Sequence, residues 1–258
     1  FNNVDGFAYD SDLGACVTMQ YSNLWVNQDG LRFMDESAGG GMGTSESGKV
    51  IECQGEVFSI VDMSHIKKYA EGGAARHYSG FADKLVGAEV PGLYDELAQY
   101  ESNPNVFKAD DLRSLAEAIG VDAEVFTAEV EAYNEYCRTG EDKQWSKAAE
   151  YLWPVEEGPF YAFRISSGML NTCGGIRINT NAQVMDARGK VIQGLYAAGV
   201  CTSGWDGEVY GGGTCQTVGM WGGSKAARHA LTTLLGKTVA EDWYGELMEV
   251  KAGGPPPG

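Results

Sequence analysis

Short apolar runs separated by turn residues predict β-strands in the first third of the chain. Residues 24–27 and 31–35 flank Asp29-Gly30, a dipeptide that supplies the positive φ angles of a tight turn, so these residues predict a β-hairpin. Residues 37–48 are rich in Gly and Ser and predict a loop. Residues 57–61 form a short run of apolar and β-branched side chains, and they predict a further strand.

Between residues 110 and 140 the apolar spacing changes to that of helices. Two groups of apolar residues recur every three or four positions, and each group is followed by a glycine. Because glycine readily adopts the left-handed conformation that ends many helices, the pattern predicts a helical pair with ends at Gly120 and Gly140. The apolar positions are Leu112, Leu115, Ala116 and Ile119 in the first helix, and Phe126, Val130, Tyr133 and Cys137 in the second.

From Pro159 onward the pattern again predicts strands. The apolar runs are short, and turn residues separate them, with a clear turn at residues 186–189. The strands are predicted at residues 160–165, 175–179, 183–185 and 191–192, and the last of them leads into the segment 194–199.

A long helix is predicted after a glycine-rich connection, over residues 214–235 and with its end at Gly236. Small residues form two adjacent rows along this helix, so one of its faces can approach a sheet or a ligand closely. His229 follows Arg228 in the helix and is expected at the surface. The rows are Gly222, Ala226 and Ala230, and Gly219, Gly223 and Ala227.

Composition and charge exclude several classes of function. The chain has 258 residues and a formal net charge of −17, which would repel a nucleic acid backbone. No apolar run approaches the roughly 18 residues that a membrane span needs. Six cysteines and three histidines are spread without metal-ligand spacing, so no metal site is expected. A nucleic acid partner and a membrane span are therefore not expected.

The start of the long helix is the first candidate for chemistry. A helix that begins at Thr214 presents the positive end of its dipole, which favours an electron-rich group such as a phosphate or a reduced flavin. The residues alone leave a third reading, in which Gly211 to Gly213 form only a tight turn. No G-x-G-x-x-G motif follows a predicted strand in the sequence, so the motif that usually binds the pyrophosphate of a dinucleotide is not seen.

Five motifs, taken together, resemble a known family over nearly the whole chain. They are LWVNQDGLRFMDE at residues 24–36, GPFYA at 158–162, TCGGI at 172–176, VIQGLYAAG at 191–199 and the run from Gly207 to Gly213. Their order is similar to that in the fumarate reductase/succinate dehydrogenase flavoprotein superfamily, which includes 3-ketosteroid dehydrogenases.

The resemblance implies an α/β fold with an α+β cap. Residues 1–158 would form the capping domain, residues 159–238 the C-terminal portion of a Rossmann-like FAD-binding domain, and residues 239–258 a tail. The family's N-terminal dinucleotide-binding half would precede Phe1. The chain is therefore expected to be a fragment that, on its own, binds FAD weakly or not at all.

The resemblance also implies which residues contact the flavin. They fall in the TCGGI motif, in the segment after Tyr196 and at the start of the last helix. Val200 replaces an acidic residue that is common in the family at this position. The predicted cofactor-binding residues are Gly174, Gly175, Ala198, Gly199, Val200, Gly212, Gly213, Thr214, Cys215, Gln216 and Thr217.

Departures from the family pattern indicate the substrate. Dicarboxylate reductases hold a histidine and an arginine where this chain has Asn171 and Tyr210, so a dicarboxylate is not expected. Tyr210 resembles the tyrosine of the ketosteroid dehydrogenases, whose hydroxyl can hydrogen-bond a ketone oxygen, and it is the predicted catalytic residue. Asn171, Tyr210 and Trp205 are predicted to bind substrate, although Trp205 could equally fill an interface with the cap.

The proton donor or base is not identified by the resemblance. The family places an arginine or tyrosine a few residues beyond the cap hairpin, where this chain has Gly40. Residues that could take the role are Tyr21, Glu36, Glu46 and Tyr78, and the sequence does not choose among them.

The expected function is hydride transfer between FAD and a carbon–carbon bond conjugated to a carbonyl, with an unidentified electron donor or acceptor as partner. Two alternatives remain. One is a cap-like module that binds a protein or small ligand without catalysis. The other is a fumarate reductase-like enzyme for a small unsaturated acid, held by Arg76 or Arg177.

Overall fold

The computed structural model describes residues 2–8, 11–37, 44–73, 87–168, 172, 174–205 and 214–239. The chain divides into two compact units, Phe1–Leu170 and Asn171–Gly258. This division lies later than the boundary predicted between residues 158 and 159. The strand Phe160–Ser167 explains the difference, because it pairs with strands of the first unit.

The first unit contains an antiparallel sheet with five strands among its described residues. The last strand, β5, is central: β3 pairs along one edge, while β4 and β1 pair with successive halves of the other edge. The second strand, β2, pairs with the outer edge of β3. The strands are β1 (Asn2–Val4), β2 (Leu24–Asn27), β3 (Val57–Asp62), β4 (Val106–Ala109) and β5 (Phe160–Ser167).

Both faces of this sheet are buried. Alternate residues of β3 point to opposite faces, so that Val57 and Val61 join one apolar cluster while Phe58 and Ile60 join another. Four helices contribute to the first cluster, and two helices contribute to the second. They are α1 (Asp12–Met19), α2 (Thr44–Glu52), α3 (Met63–Ala70) and α4 (Leu93–Tyr100), and then α5 (Leu112–Ile119) and α6 (Ala123–Thr139).

The predicted helical pair is confirmed by α5 and α6. Asp111 and Asp122 cap their N-termini by accepting hydrogen bonds from backbone N–H groups of the first turns. Gly120 and Gly140 end them with φ values of +79° and +73°. The glycines are therefore required by the left-handed backbone at both ends.

Only the first arm of the predicted hairpin is a strand. The turn forms as expected, with Gly30 at φ +76° and its N–H donating to the Asn27 carbonyl at 2.9 Å. Residues 31–35, however, form no strand, and β2 pairs with β3 instead. The reason is Arg32, whose backbone N–H donates to the Glu129 carboxylate at 3.2 Å and whose side chain is buried.

The predicted loop over residues 37–48 is also partly wrong, because α2 begins at Thr44. Ser47 and Gly48 are buried, and Ile51 one turn later joins the cluster beneath the sheet. Residues 44–48, which suggested a loop because of their Ser and Gly content, are thus part of a helix. Residues 38–43 lie outside the described part of the chain.

The second unit contains a two-stranded antiparallel sheet of β6 (Gln183–Met185) and β7 (Val191–Tyr196), and the helix α7 (Thr214–Thr233). These elements confirm the predicted strands, turn and helix. Residues 175–179, in contrast, form two isolated bridges rather than the predicted strand. Among the described residues of this unit the buried apolar side chains are Ala182, Val184 and Val218.

No helix in the described part of the chain is long and apolar enough to cross a bilayer. The same residues contain no group of His, Cys, Asp and Glu side chains that could hold a metal ion.

Four buried charges hold the first unit together around Arg32. Its guanidinium contacts Glu36 and Asp142, each at 3.0 Å, and Lys147 contacts Glu36 at 3.2 Å; all four side chains are fully buried. Burial alone would raise the pKa of the Glu36 carboxyl, but Lys147 and Arg32 outweigh that effect and lower it. The network therefore stays ionised and joins the β2 turn to the segment after α6.

Replacing Arg32 with Met should destabilise the first unit by about 3–5 kcal/mol, because Glu36 and Asp142 would lose a buried counter-charge. Urea denaturation followed by circular dichroism measures the change. Arg113→Met is the matched control, since Arg113 pairs with Glu124 on the exposed surface and its loss should matter little. Equal midpoints for the two variants would contradict a structural role for the network.

Asp62 is a second buried anchor. One carboxylate oxygen accepts hydrogen bonds from the Ser64 and His65 backbone N–H groups and contacts His65 Nδ1 at 2.9 Å. The other accepts from Glu156 and Glu157, each at 2.8 Å. Burial would raise the pKa of Asp62, but the contact with His65 and these hydrogen bonds outweigh it and lower it. The carboxylate thus ties the start of α3 to the irregular segment that leads into β5.

This lowered pKa predicts how Asp62 contributes to stability as the pH changes. Because the folded pKa lies below the unfolded value of about 3.9, the stabilisation is complete above about pH 5 and is lost as the pH falls through the lowered pKa. The free energy of unfolding of Asp62→Asn should fall below wild type at pH 7, and the gap should narrow toward pH 3. Urea midpoints across this range test it. Exposed Asp29→Asn is the control and should follow wild type, whereas a gap independent of pH would contradict the assignment.

Candidate functional site

Backbone contacts in the second unit bring together the described residues that were predicted to bind a cofactor. Ile176 N–H donates to the Cys201 carbonyl at 2.8 Å, and Ile176 forms a parallel bridge with Thr202. The Thr172 hydroxyl donates to the Val200 carbonyl at 2.9 Å. The TCGGI segment is therefore held against the short 3-10 helix Gly199–Cys201 that follows β7.

Glycine is required at the closest approach of these segments. A Cβ at Gly175 would lie 2.3 Å from the Cys201 carbonyl oxygen, which is far inside van der Waals contact. On α7, a Cβ at Gly222 would lie 3.2 Å from the Ala198 Cβ, and Gly199 lies against Gly219. The prediction that the small-residue face of this helix packs closely is confirmed, and it packs on the segment that follows β7.

The result is a shelf of small residues at the start of α7. Gly174, Gly175, Val200, Gln216 and Thr217 are exposed, while Ala198, Gly199, Thr214 and Cys215 are half-buried. The first turn of this helix carries the positive end of the helix dipole, which favours an electron-rich group. These residues suit a planar, partly anionic ring, because their side chains are small or uncharged and are at least partly exposed.

Four predicted site residues lie outside the described part of the chain. They are Asn171, Tyr210, Gly212 and Gly213, and their roles stay predictions. The alternative anion contact Arg76 is also outside it, whereas Arg177 is exposed in the second unit.

Trp205 is fixed to the same shelf by two hydrogen bonds. Its indole N–H donates to the Thr202 hydroxyl at 2.7 Å, and that hydroxyl donates to the Gly199 carbonyl at 2.6 Å. Its ring packs edge-on against Trp221 at 5.4 Å, and both rings remain partly exposed. Trp221 was not among the predicted site residues, although its position beside Gly222 in the small-residue row was a usable signal.

His229 is not the surface residue that the sequence suggested. It is half-buried, and its Nδ1 lies 2.8 Å from the Tyr196 hydroxyl. The pair connects the end of β7 to α7, so His229 helps to fix the helix that carries the shelf. Tyr196 and His229 are 33 positions apart in the sequence, and no local sequence pattern predicts their contact.

The structure narrows the choice of a proton donor or base. Glu36 is buried against Arg32 and Lys147, which lower the pKa of its carboxyl, so it is unsuited to donate a proton. Tyr21 packs edge-on against Tyr151 at 4.8 Å, as a packing residue would. The Glu46 side chain and Tyr78 lie outside the described residues.

The sequence of residues 19–215 matches the family model described as the FAD binding domain. The chain belongs to this family. Membership confirms the flavoprotein resemblance and the expectation of FAD as the cofactor of the intact protein. The matched region includes the shelf segments and extends to Cys215 in the first turn of α7.

Named relatives agree with the family. A vinyl phenol reductase of Lactiplantibacillus plantarum is 35% identical over 229 residues, which are 87% of this chain and 46% of that protein. An NADH:fumarate oxidoreductase of Klebsiella pneumoniae is 35% identical over 136 residues, or 51% of this chain and 15% of that protein. The chain thus spans half or less of the length of these relatives.

A solved structure shows the same fold. The 3-ketosteroid Δ1-dehydrogenase of Sterolibacterium denitrificans superimposes with a TM-score of 0.65 at 23% identity, over 88% of this chain and 42% of that one. The predicted fold class, a mixed α/β flavoprotein architecture, is confirmed by this likeness.

Gly175→Ala should reduce FAD retention in the intact protein, because the added Cβ would push the TCGGI segment away from Cys201. Gly223→Ala is the matched control, since a Cβ there meets nothing within 4 Å and Gly223 is not among the predicted cofactor-binding residues. The ratio of bound flavin absorbance to protein absorbance measures retention, and protease resistance of the second unit gives a readout independent of flavin. Equal behaviour of the two variants would show that this close approach does not shape the shelf.

Proposed function

We propose that the intact protein is an FAD-dependent oxidoreductase that reduces or introduces a carbon–carbon double bond conjugated to a carbonyl or another electron-withdrawing group. The observation that carries the proposal is the family match over residues 19–215, which includes the described shelf residues up to Cys215. FAD would supply the hydride chemistry at its N5 atom.

The residues of this chain would hold and polarise the reactants. The first turn of α7 would stabilise negative charge on the flavin edge, and Gly174, Gly175 and Ala198 would allow the ring to lie close to the backbone. The Tyr210 hydroxyl would donate a hydrogen bond to the substrate carbonyl oxygen and stabilise the enolate that develops as hydride moves.

A neutral, rather apolar substrate is the proposed class. Asn171 and Tyr210 carry no charge, so neither can neutralise a carboxylate. The similarity to a vinyl phenol reductase over 87% of the chain supports this choice, because that relative is named for a neutral aromatic substrate. Trp205, with its partly exposed ring, would contact such a substrate.

A small unsaturated acid is the second candidate substrate. The similarity to an NADH:fumarate oxidoreductase favours it, although that match covers 51% of the chain. Arg177 is exposed in the second unit and could supply a cationic contact. Turnover of a neutral enone such as 4-phenylbut-3-en-2-one, without turnover of fumarate or acrylate, would support the neutral class, and the reverse would overturn it.

The electron partner and the rest of the flavin domain belong to the proposal as well. An electron donor or acceptor of unidentified chemistry must exchange electrons with the flavin, and further polypeptide must bind the adenosine diphosphate end of FAD. Reconstitution of the intact protein with FAD tests the whole assignment. A protein that stays colourless would instead be a binding module without redox chemistry.

Tyr210→Phe in the intact protein should lower kcat by about 100- to 1000-fold, which is the usual effect of removing one donor to a developing oxyanion. Bound FAD should be unchanged, because the hydroxyl is assigned to the substrate rather than to the flavin. Steady-state kinetics and flavin absorbance measure the two quantities. Tyr94→Phe, at an exposed site of the first unit, is the control. Unchanged turnover in Tyr210→Phe would remove Tyr210 from the mechanism.

A further inference from the structure

Four buried polar side-chain atoms have no hydrogen-bond partner among the described residues. They are Trp25 Nε1, Ser59 Oγ, His65 Nε2 and Arg164 Nε. Native proteins leave few such atoms, because a buried polar group without a partner is costly to desolvate. Two of the four belong to Trp25 and Ser59, which pair directly across β2 and β3. His65 lies on α3, and Arg164 pairs with Phe58, whose side chain joins the cluster on the other face of the sheet.

The register of β2 and β3 places the Trp25 and Ser59 side chains next to each other. The two residues are opposite one another in an antiparallel pair, so their side chains lie on the same face of the sheet. The Trp25 backbone N–H points away from β3, because it donates to the Glu36 carboxylate at 3.1 Å. Trp25 and Ser59 therefore form a non-hydrogen-bonded pair, the kind in which opposing side chains lie closest together.

The surroundings of this pair are apolar. Ser59 is fully buried and Trp25 is 3% exposed. Ser59 lies between Val57 and Val61 along β3, and it pairs with Phe163 of β5 on its other side. These three residues belong, together with Trp25, to the first apolar cluster. The indole N–H and the hydroxyl thus lie on one side of the sheet within an apolar cluster, and no direct hydrogen bond joins them.

We infer that Trp25 and Ser59 form a binding site for one buried water molecule, which bridges the indole N–H and the serine hydroxyl. A bridging molecule must accept a hydrogen bond from the indole, which is a donor only, and must also hydrogen-bond the hydroxyl. It must also fit between side chains of neighbouring strands. Water meets all three requirements, and buried waters in proteins commonly satisfy polar groups of this kind.

The bridge adds a contact between β2 and β3 at a position where their backbones form no hydrogen bond. The same residue, Trp25, binds Glu36 through its backbone N–H, and Glu36 belongs to the buried charge network around Arg32. The water therefore fixes β2 to the sheet at the point where β2 meets this network. The site lies entirely in the first unit and is independent of the flavin.

Ser59→Ala tests the site through the sign of its effect on stability. Removal of a hydroxyl that binds no partner would increase the folding equilibrium constant, because a buried unpaired group is lost. Removal of a hydroxyl that binds the water should instead reduce this constant by about 5- to 30-fold, since the water and the indole lose a shared partner. Urea denaturation of the whole chain measures the change. An unchanged or larger constant would overturn the inference.

Ser166→Ala is the matched control. Ser166 is also a serine of a β-strand in the same sheet, but it is half-buried and its hydroxyl donates to the Asp5 carboxylate at 3.2 Å. Its replacement should change the folding equilibrium constant less than about threefold, because water can replace a partly exposed hydrogen bond. A loss as large as that in Ser59→Ala would show that the effect is general to strand serines, and would overturn the assignment.

A direct observation of the water separates it from a hydrogen bond between the two side chains. A high-resolution crystal structure should show one ordered solvent molecule within about 3.2 Å of both Trp25 Nε1 and Ser59 Oγ. In solution, the Trp25 indole proton should give a nuclear Overhauser cross-peak to water, and Trp25→Phe identifies its resonance. A direct bond between Nε1 and Oγ in the crystal, or an exchange-protected indole proton without a cross-peak to water, would overturn the inference.

Discussion

A strand with apolar residues on both faces is stable only where both faces are covered, and this constraint explains the contrast between the two units. In the first unit, β3 sends Val57 and Val61 to one cluster and Phe58 and Ile60 to the other. Helices cover both sides, so the sheet is complete within the chain. In the second unit, Ile192 and Leu195 of β7 are exposed, and few of the described apolar side chains are buried. One physical rule thus accounts for the difference in apolar burial between the described residues of the two units.

Because helices cover both faces of its sheet, the first unit can also bury charged side chains away from water. Arg32, Glu36, Asp142 and Lys147 are fully buried, and the two cations balance the two anions. Such a group is costly to desolvate and gains from its geometry rather than from its charge alone. Its effect is to specify how the β2 turn meets the segment after α6, which apolar packing would leave less strictly defined.

Local sequence patterns predicted much of the fold correctly. The predictions that were wrong involve contacts between residues that are distant in the sequence. Caps and glycine ends predicted α5 and α6, because a helix end is determined by residues close in sequence. The predicted second strand of the hairpin does not form, because Arg32 is bound by residues about 100 positions away in the sequence. No local pattern contains such a contact. In the site, the family motifs predicted the shelf, and glycine spacing predicted its close approaches. The Tyr196–His229 pair depends on how β7 and α7 meet, which no local pattern contains, whereas Trp221 was indicated only by its place beside Gly222.

The hydrogen bonds from Trp205 to Thr202 and from Thr202 to Gly199 have a spectroscopic consequence. Indole emission depends on the polarity and the hydrogen bonding around the ring. Trp205 is fixed to the backbone of the shelf rather than carried on a free side chain, so a displacement of that backbone changes the surroundings of the ring directly. The fold thereby contains an intrinsic optical probe of the shelf, and it requires no added label.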